Sequence, residues 1–251
     1  MIPVPWESPA PELPATPRPN IAGMNRTDLR DLMTALGQPA FRGDQLYEGL
    51  YVHRWTNWGA FTHLPRNLRS RLEAEAQLRW PEIAASIASS DGSIKHAFRF
   101  SDGREAEGVY MPYERRTTLC LSSQVGCAMG CTFCATGQMG IIRNLSSAEI
   151  VGQVVAMLNA HERTGNGPVN LVFMGMGEPL HNLDHVMAAF GLLTDPKGLA
   201  ISSRRITLST SGLVSGISKE LSEEIKFAEG QIRELEEKFR IVKGRIRERE
   251  M

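Results

Sequence analysis

Cys127-Ala-Met-Gly-Cys131-Thr-Phe-Cys134 places three thiols within eight residues at the spacing C-x3-C-x2-C, in a loop that also holds Gly126 and Gly130. Thiolate sulfur favours zinc and iron–sulfur clusters. A structural zinc site closes its tetrahedron with a fourth ligand, and no fourth candidate stands at short spacing. A cubane cluster usually takes four cysteines, so three would leave one iron open, just as a catalytic metal keeps a position for substrate. A disulfide framework does not explain three cysteines crowded into one loop. The residues alone leave structural zinc and a chance grouping of thiols as alternatives.

Other residues could do chemistry beside that loop. Val172-Phe-Met-Gly-Met-Gly-Glu-Pro179 ends a predicted strand with backbone N–H groups and a carboxylate where a bound cation could be met; alone, it is a tight turn. Ser209 closes another predicted strand, at the end where barrel ligands bind. Glu107 falls in an alternating strand, where a carboxylate usually faces solvent. Cys120, seven residues before Cys127, reads either as a supporting thiol or as a small packed residue. His181 and His185 stand four apart without a third ligand and read as surface residues.

The elements that must position these residues follow from patterning. Seven of the fourteen prolines lie in the first nineteen residues, so 1–22 is expected to be a weakly ordered arm. From 23 to 80 a small helical domain is expected. Leu29, Leu32, Met33 and Leu36 share a face behind a cap at Asn25 or Thr27, Gly37 is a stop, and further helices follow Pro39 and Pro65. Its arginines and its aromatics Tyr47, Trp55, Trp58 and Phe61 suit RNA contact, although packing is the commoner fate of such rings. Over 81–116 a hairpin turns at Ser101-Asp-Gly103. Three strand-then-helix units over 117–217 imply a parallel sheet, and Ser146 with Glu149 forms a capping box before the first helix. The fold class is therefore α/β.

Over 218–251, Leu221, Ile225, Ala228, Ile232, Leu235, Phe239, Val242 and Ile246 recur at heptad spacing among eighteen charges, predicting a long helix of coiled-coil type that could self-associate. The alternative is a single amphipathic helix folded back on its own domain. The 28 basic and 28 acidic residues cancel, so polyanion binding must be local. No apolar run suits a membrane span and the N-terminus lacks a secretory pattern, so a cytoplasmic location is expected.

The cysteine spacing, with Phe133 before the third cysteine, resembles the radical S-adenosylmethionine superfamily. Gln38-Pro-Ala-Phe-Arg42, Cys120-Leu-Ser-Ser-Gln-Val-Gly-Cys127, Phe133-Cys-Ala-Thr-Gly137, Arg143-Asn-Leu-Ser146, Met174-Gly-Met-Gly-Glu-Pro179 and Thr207-Leu-Ser-Thr-Ser-Gly212 together resemble its dual-specificity ribosomal and transfer RNA adenine C2-methyltransferases. The resemblance runs from about residue 25 to about 217. It implies a partial (β/α) barrel after an RNA-contacting accessory domain, and a [4Fe-4S] cluster on Cys127, Cys131 and Cys134. It also implies an external electron donor and two S-adenosylmethionine molecules per turnover, one giving a methyl group and one the 5′-deoxyadenosyl radical. Gly177, Glu178 and Ser209 would contact S-adenosylmethionine. Glu107 would be the acceptor of the adenine C2 proton, with a pKa raised by partial burial. The family continues through three further strand–helix units and a late methyl-carrying cysteine. No cysteine follows Cys134 here, so the chain reads as truncated or fused. The competing reading is a non-catalytic interaction protein with a heptad tail and weak RNA contact.

Overall fold

The computed structural model describes residues 18–161 and 167–212. The chain divides into two compact units between Trp80 and Pro81.

The first unit is helical. Asn25 caps α1 (Arg26–Ala35): its side-chain oxygen accepts from the Asp28 N–H at 3.0 Å, and the Asp28 carboxylate accepts from the Asn25 N–H at 3.0 Å. That reciprocal pair satisfies two otherwise orphaned donors. The next helix, α2 (Phe41–Tyr47), runs on into a π-helical turn over Glu48–Val52, and α3 (Arg66–Glu75) follows Pro65. Leu29, Met33, Leu46, Leu50 and Leu72 bury completely with Tyr47, Tyr51 and Phe61, whereas Trp55 and Trp58 stay half-buried. Of the weakly ordered arm expected over 1–22, residues 18–22 are described, and they pack against the helical unit. Asn20 bridges to Gln77, and Ile21 and Ala22 are buried, because their apolar side chains complete this small core.

The second unit is built on a six-stranded sheet in the order β1-β2-β3-β4-β7-β8. Its antiparallel strands are β1 (Glu82–Ala88), β2 (Ile94–Arg99) and β3 (Glu105–Tyr113). The parallel strands are β4 (Arg116–Cys120), β7 (Val169–Phe173) and β8 (Ile206–Leu208). Between β4 and α5 (Ser147–Ala160) come a two-stranded ribbon, β5 (Gln124–Gly126) with β6 (Ile141–Asn144), and the short α4 (Ala135–Gln138). A second crossover helix, α6 (Leu183–Thr194), joins β7 to β8. The expected hairpin is present, extended by β1, and its strands continue directly into the parallel sheet.

One face of the sheet is covered. Leu119, Leu171 and Phe173 are buried there, and α5 contributes Ile150, Val151, Val154, Val155 and Met157 to the same core. Strand alternation puts Glu107, Val109, Cys120, Val172 and Thr207 together on the opposite face. The register agrees, pairing Val109 with Cys120, Cys120 with Val172, and Val172 with Thr207. The fully buried Gln153 fastens α5 to the strand ends, accepting from the Ser122 N–H at 2.9 Å and donating to the Ser122 carbonyl at 3.0 Å. The helix expected after β8 and the heptad segment over 218–251 lie outside the described residues. No helix among the described residues is long and apolar enough to cross a membrane.

Candidate functional site

The cysteine loop leaves β5 at Gly126 and returns at β6, whose antiparallel pairing holds its two ends together. The Cys127 N–H donates to the Gly140 carbonyl at 3.0 Å, and the Cys134 N–H donates to the Cys131 carbonyl at 3.1 Å. Cys127, Cys131 and Cys134 are half-buried free thiols. The Gly137 N–H hydrogen-bonds the Cys134 sulfur and, against slight desolvation and with help from Thr136, lowers its pKa, which favours the thiolate that binds metal. Phe133 stands out from the loop, 92% exposed.

Among the described residues, no three His, Cys, Asp or Glu side chains converge to hold one metal ion. Tetrahedral zinc requires ligand sulfurs about 2.3 Å from a common centre. A cubane asks something different, since each thiolate reaches its own iron. Three free, half-buried thiols on one loop, with Cys134 biased toward thiolate, fit that donor set.

Arg143 anchors the ribbon, and sequence reading gave it no role. Its guanidinium makes a two-pronged pair with Glu149 at 2.8 and 2.9 Å, meets Asp102 at 2.6 Å and lies over the Phe100 ring at 5.3 Å. The Glu149 hydrogen bonds, resisted by desolvation and joined by Asp102, raise its pKa further. Because Glu149 also closes the capping box with Ser146, this one cation ties the cysteine loop to the start of α5 and to the β2–β3 turn.

The residues expected to meet S-adenosylmethionine lie at the carboxyl edge of the parallel strands. Gly177 has φ +101°, and a Cβ there would come within 2.6 Å of Gln124, so that turn requires glycine. Gln124 accepts from the Glu178 N–H at 2.9 Å and donates to Asn144 at 2.7 Å, coupling the Gly-Glu-Pro turn to the ribbon. Ser122 accepts from the Met176 N–H at 2.7 Å and donates to the Glu107 carbonyl at 2.5 Å, coupling that turn to β3.

Glu178 is 3% exposed, and its carboxylate is engaged within the protein. It accepts from the Leu180 N–H at 3.0 Å, the Thr210 hydroxyl at 2.6 Å, and the Ser211 N–H and hydroxyl at 2.8 and 2.7 Å. A carboxylate offers about four lone-pair sites, so a cation must share or displace one of these donors. Ser209, named from the sequence, is exposed beyond β8, whereas Thr210 and Ser211 make the contacts. Their signal was the hydroxyl run Ser209-Thr-Ser211, which does not reveal which side chain turns inward.

Two further expectations divide. Glu107 lacks the partial burial expected of it: its side chain is 52% exposed and pairs with Lys95 at 2.9 Å, because the cross-strand diagonal brings that cation onto the same face. Cys120 is buried, and burial raises its thiol pKa against a hydrogen bond from the Met174 backbone, so it rests as a neutral thiol. His181 and His185 are exposed, as expected. Two cavities of about 570 and 390 Å³, lined in part by Arg116, Asn170 and Arg205, lie toward the opposite edge of the sheet and touch none of the site residues.

Residues 121–237 match the radical SAM superfamily, and residues 19–78 match the ribosomal RNA large subunit methyltransferase N-terminal domain. A crystal structure of a radical SAM methyltransferase from Sphaerobacter thermophilus superposes with a TM-score of 0.76 at 39% sequence identity. The match covers 80% of this chain and 59% of that one, so the chain spans little more than half the length of this relative.

Proposed function

The chain belongs to the radical SAM methyltransferases of the ribosomal RNA large-subunit type, and from that premise we propose that it acts at adenine C2 of large-subunit ribosomal RNA and transfer RNA. The observation that carries this reading is the loop of three free thiols placed after β4 and coupled through Gln124 to the Gly-Glu-Pro turn.

Cys127, Cys131 and Cys134 would hold a [4Fe-4S] cluster. When bound, the cluster supplies the electron, received from an external donor, that cleaves the sulfonium of S-adenosylmethionine. The chain's own residues bind and orient. Gly177 lets the backbone approach the amino-acid end of the cofactor, and Glu178, held as a carboxylate by its four donors, gives the negative charge that its ammonium requires. Ser209 stands beside them at the strand end.

Glu107 would accept the adenine C2 proton. Its side chain is 52% exposed beside Lys95, which leaves it open to a base arriving on that face. Cys120 lies on the same face as a supporting thiol. An RNA substrate and unpaired thiols suit the reducing cytoplasm.

Anaerobic reconstitution tests this reading. The full chain should take up about four irons and release 5′-deoxyadenosine from S-adenosylmethionine under reduction, and Cys127→Ala should do neither. Cleavage that persists in Cys127→Ala, or iron uptake without cleavage, would contradict it.

A further inference from the structure

In the helical unit, the chain leaving α2 adopts conformations that ordinary packing does not require. The turn over Glu48–Val52 is π-helical, with the His53 N–H donating to the Glu48 carbonyl at 3.0 Å. Arg54 then takes φ +55°, a left-handed conformation unfavourable for a non-glycine residue. Widened helical turns and left-handed non-glycine residues gather at functional sites. What this turn positions is a set of rings. His53 stacks on Trp55 at 4.7 Å and 15°, and His63 lies against the same indole at 5.3 Å.

The stack is anchored below and open above. Trp55 meets the fully buried Phe61 edge-on at 4.9 Å, and Gly49 permits that approach, since a Cβ there would collide with both rings. The His53 side chain remains 46% exposed, and His63 is exposed as well. A core needs Phe61; it does not need two imidazoles laid on the outside of Trp55. On α3, Arg69 donates to the Gly59 carbonyl at 3.3 Å, while its buried Nε–H has no hydrogen-bond partner. Over residues 18–80, nine arginines stand against six acidic residues, a local excess in a chain of zero net charge.

We propose that the His53–Trp55–His63 shelf stacks an unpaired base of RNA. Flat aromatic faces recognise a splayed base, whereas a duplex hides its base faces. This rests on the RNA-methyltransferase reading and specifies where the helical unit would grip its substrate.

The test measures binding of the full chain to a single-stranded oligoribonucleotide, to the same strand with one abasic position, and to its duplex. The parent should prefer the intact single strand. His53→Ala combined with His63→Ala should weaken that binding on the order of ten-fold, leave the salt dependence unchanged, and remove the distinction between intact and abasic strands. His53→Phe should preserve most of the affinity. Parent binding that ignores the abasic position, or a double variant that binds as the parent does, would overturn the shelf and leave the enzyme reading standing. A parent that binds no RNA would instead remove the RNA-substrate reading itself.

Discussion

Glu178 illustrates how a carboxylate identified for its charge also works as a clasp. Burial pushes its pKa up, but the Ser211 N–H, the Thr210 and Ser211 hydroxyls and the Leu180 N–H outweigh that, so it sits below its ordinary 4.5. A depressed carboxyl pKa contributes stability that is present above the ordinary value and lost as pH falls through the folded one. Glu178→Gln should therefore destabilise the second unit by about 2 kcal/mol at pH 7. Urea unfolding at pH 7 and at pH 3.5 checks this, since the gap between parent and variant should shrink in acid; an equal gap at both would show that the charge is irrelevant. At this scale the sequence was readable where one loop carries the whole pattern, as in Cys127, Cys131 and Cys134. It was not readable where the decisive neighbour comes from another strand. Alternation along β3 gives the face of Glu107 but not the Lys95 opposite, and nothing periodic separates Ser209 from Ser211 once β8 has ended.

Among the elements, α5 was legible down to its first residue because the Ser146–Glu149 capping box marks it chemically, whereas α1 offered Asn25 or Thr27 as its cap and the structure selects Asn25. The β5–β6 ribbon escaped notice because strands of three and four residues are too short for alternation to register. The π-helical turn is invisible to a 3.6-residue period for a similar reason. A third device joins elements distant in sequence. His96 on β2 is 1% exposed; its Nδ1 meets the Ser86 hydroxyl at 2.8 Å and its Nε2 meets Nε2 of His161, at the end of α5, at 2.7 Å. Such a contact needs a proton on one ring and a lone pair on the other. Desolvation lowers both pKa values from 6.5, and for His96 the charge of His161 adds to it. The unfolded chain thus binds more protons below pH 6.5, so stability should be full above that pH and decline as pH falls through it. His161→Asn should flatten the decline between pH 7 and pH 5 in thermal unfolding, and a slope as steep as the parent's would refute the pairing.

At the scale of the whole molecule, residues 19–78 match the ribosomal RNA large subunit methyltransferase N-terminal domain and residues 121–237 match the radical SAM superfamily, one in each part of the chain. Parallel order was readable because repeated strand–helix alternation admits few topologies. The merging of the hairpin with the parallel sheet was not, because local pattern does not say which edges pair. The central claim is that three thiols hold a cluster with one iron left for the cofactor. Electron paramagnetic resonance of the reduced, anaerobically reconstituted protein, recorded without and with S-adenosylmethionine, tests it most directly. A [4Fe-4S] signal should appear, change shape when the cofactor is added and be absent from Cys131→Ala. A signal indifferent to the cofactor, or a loop that retains zinc instead of iron, would contradict it.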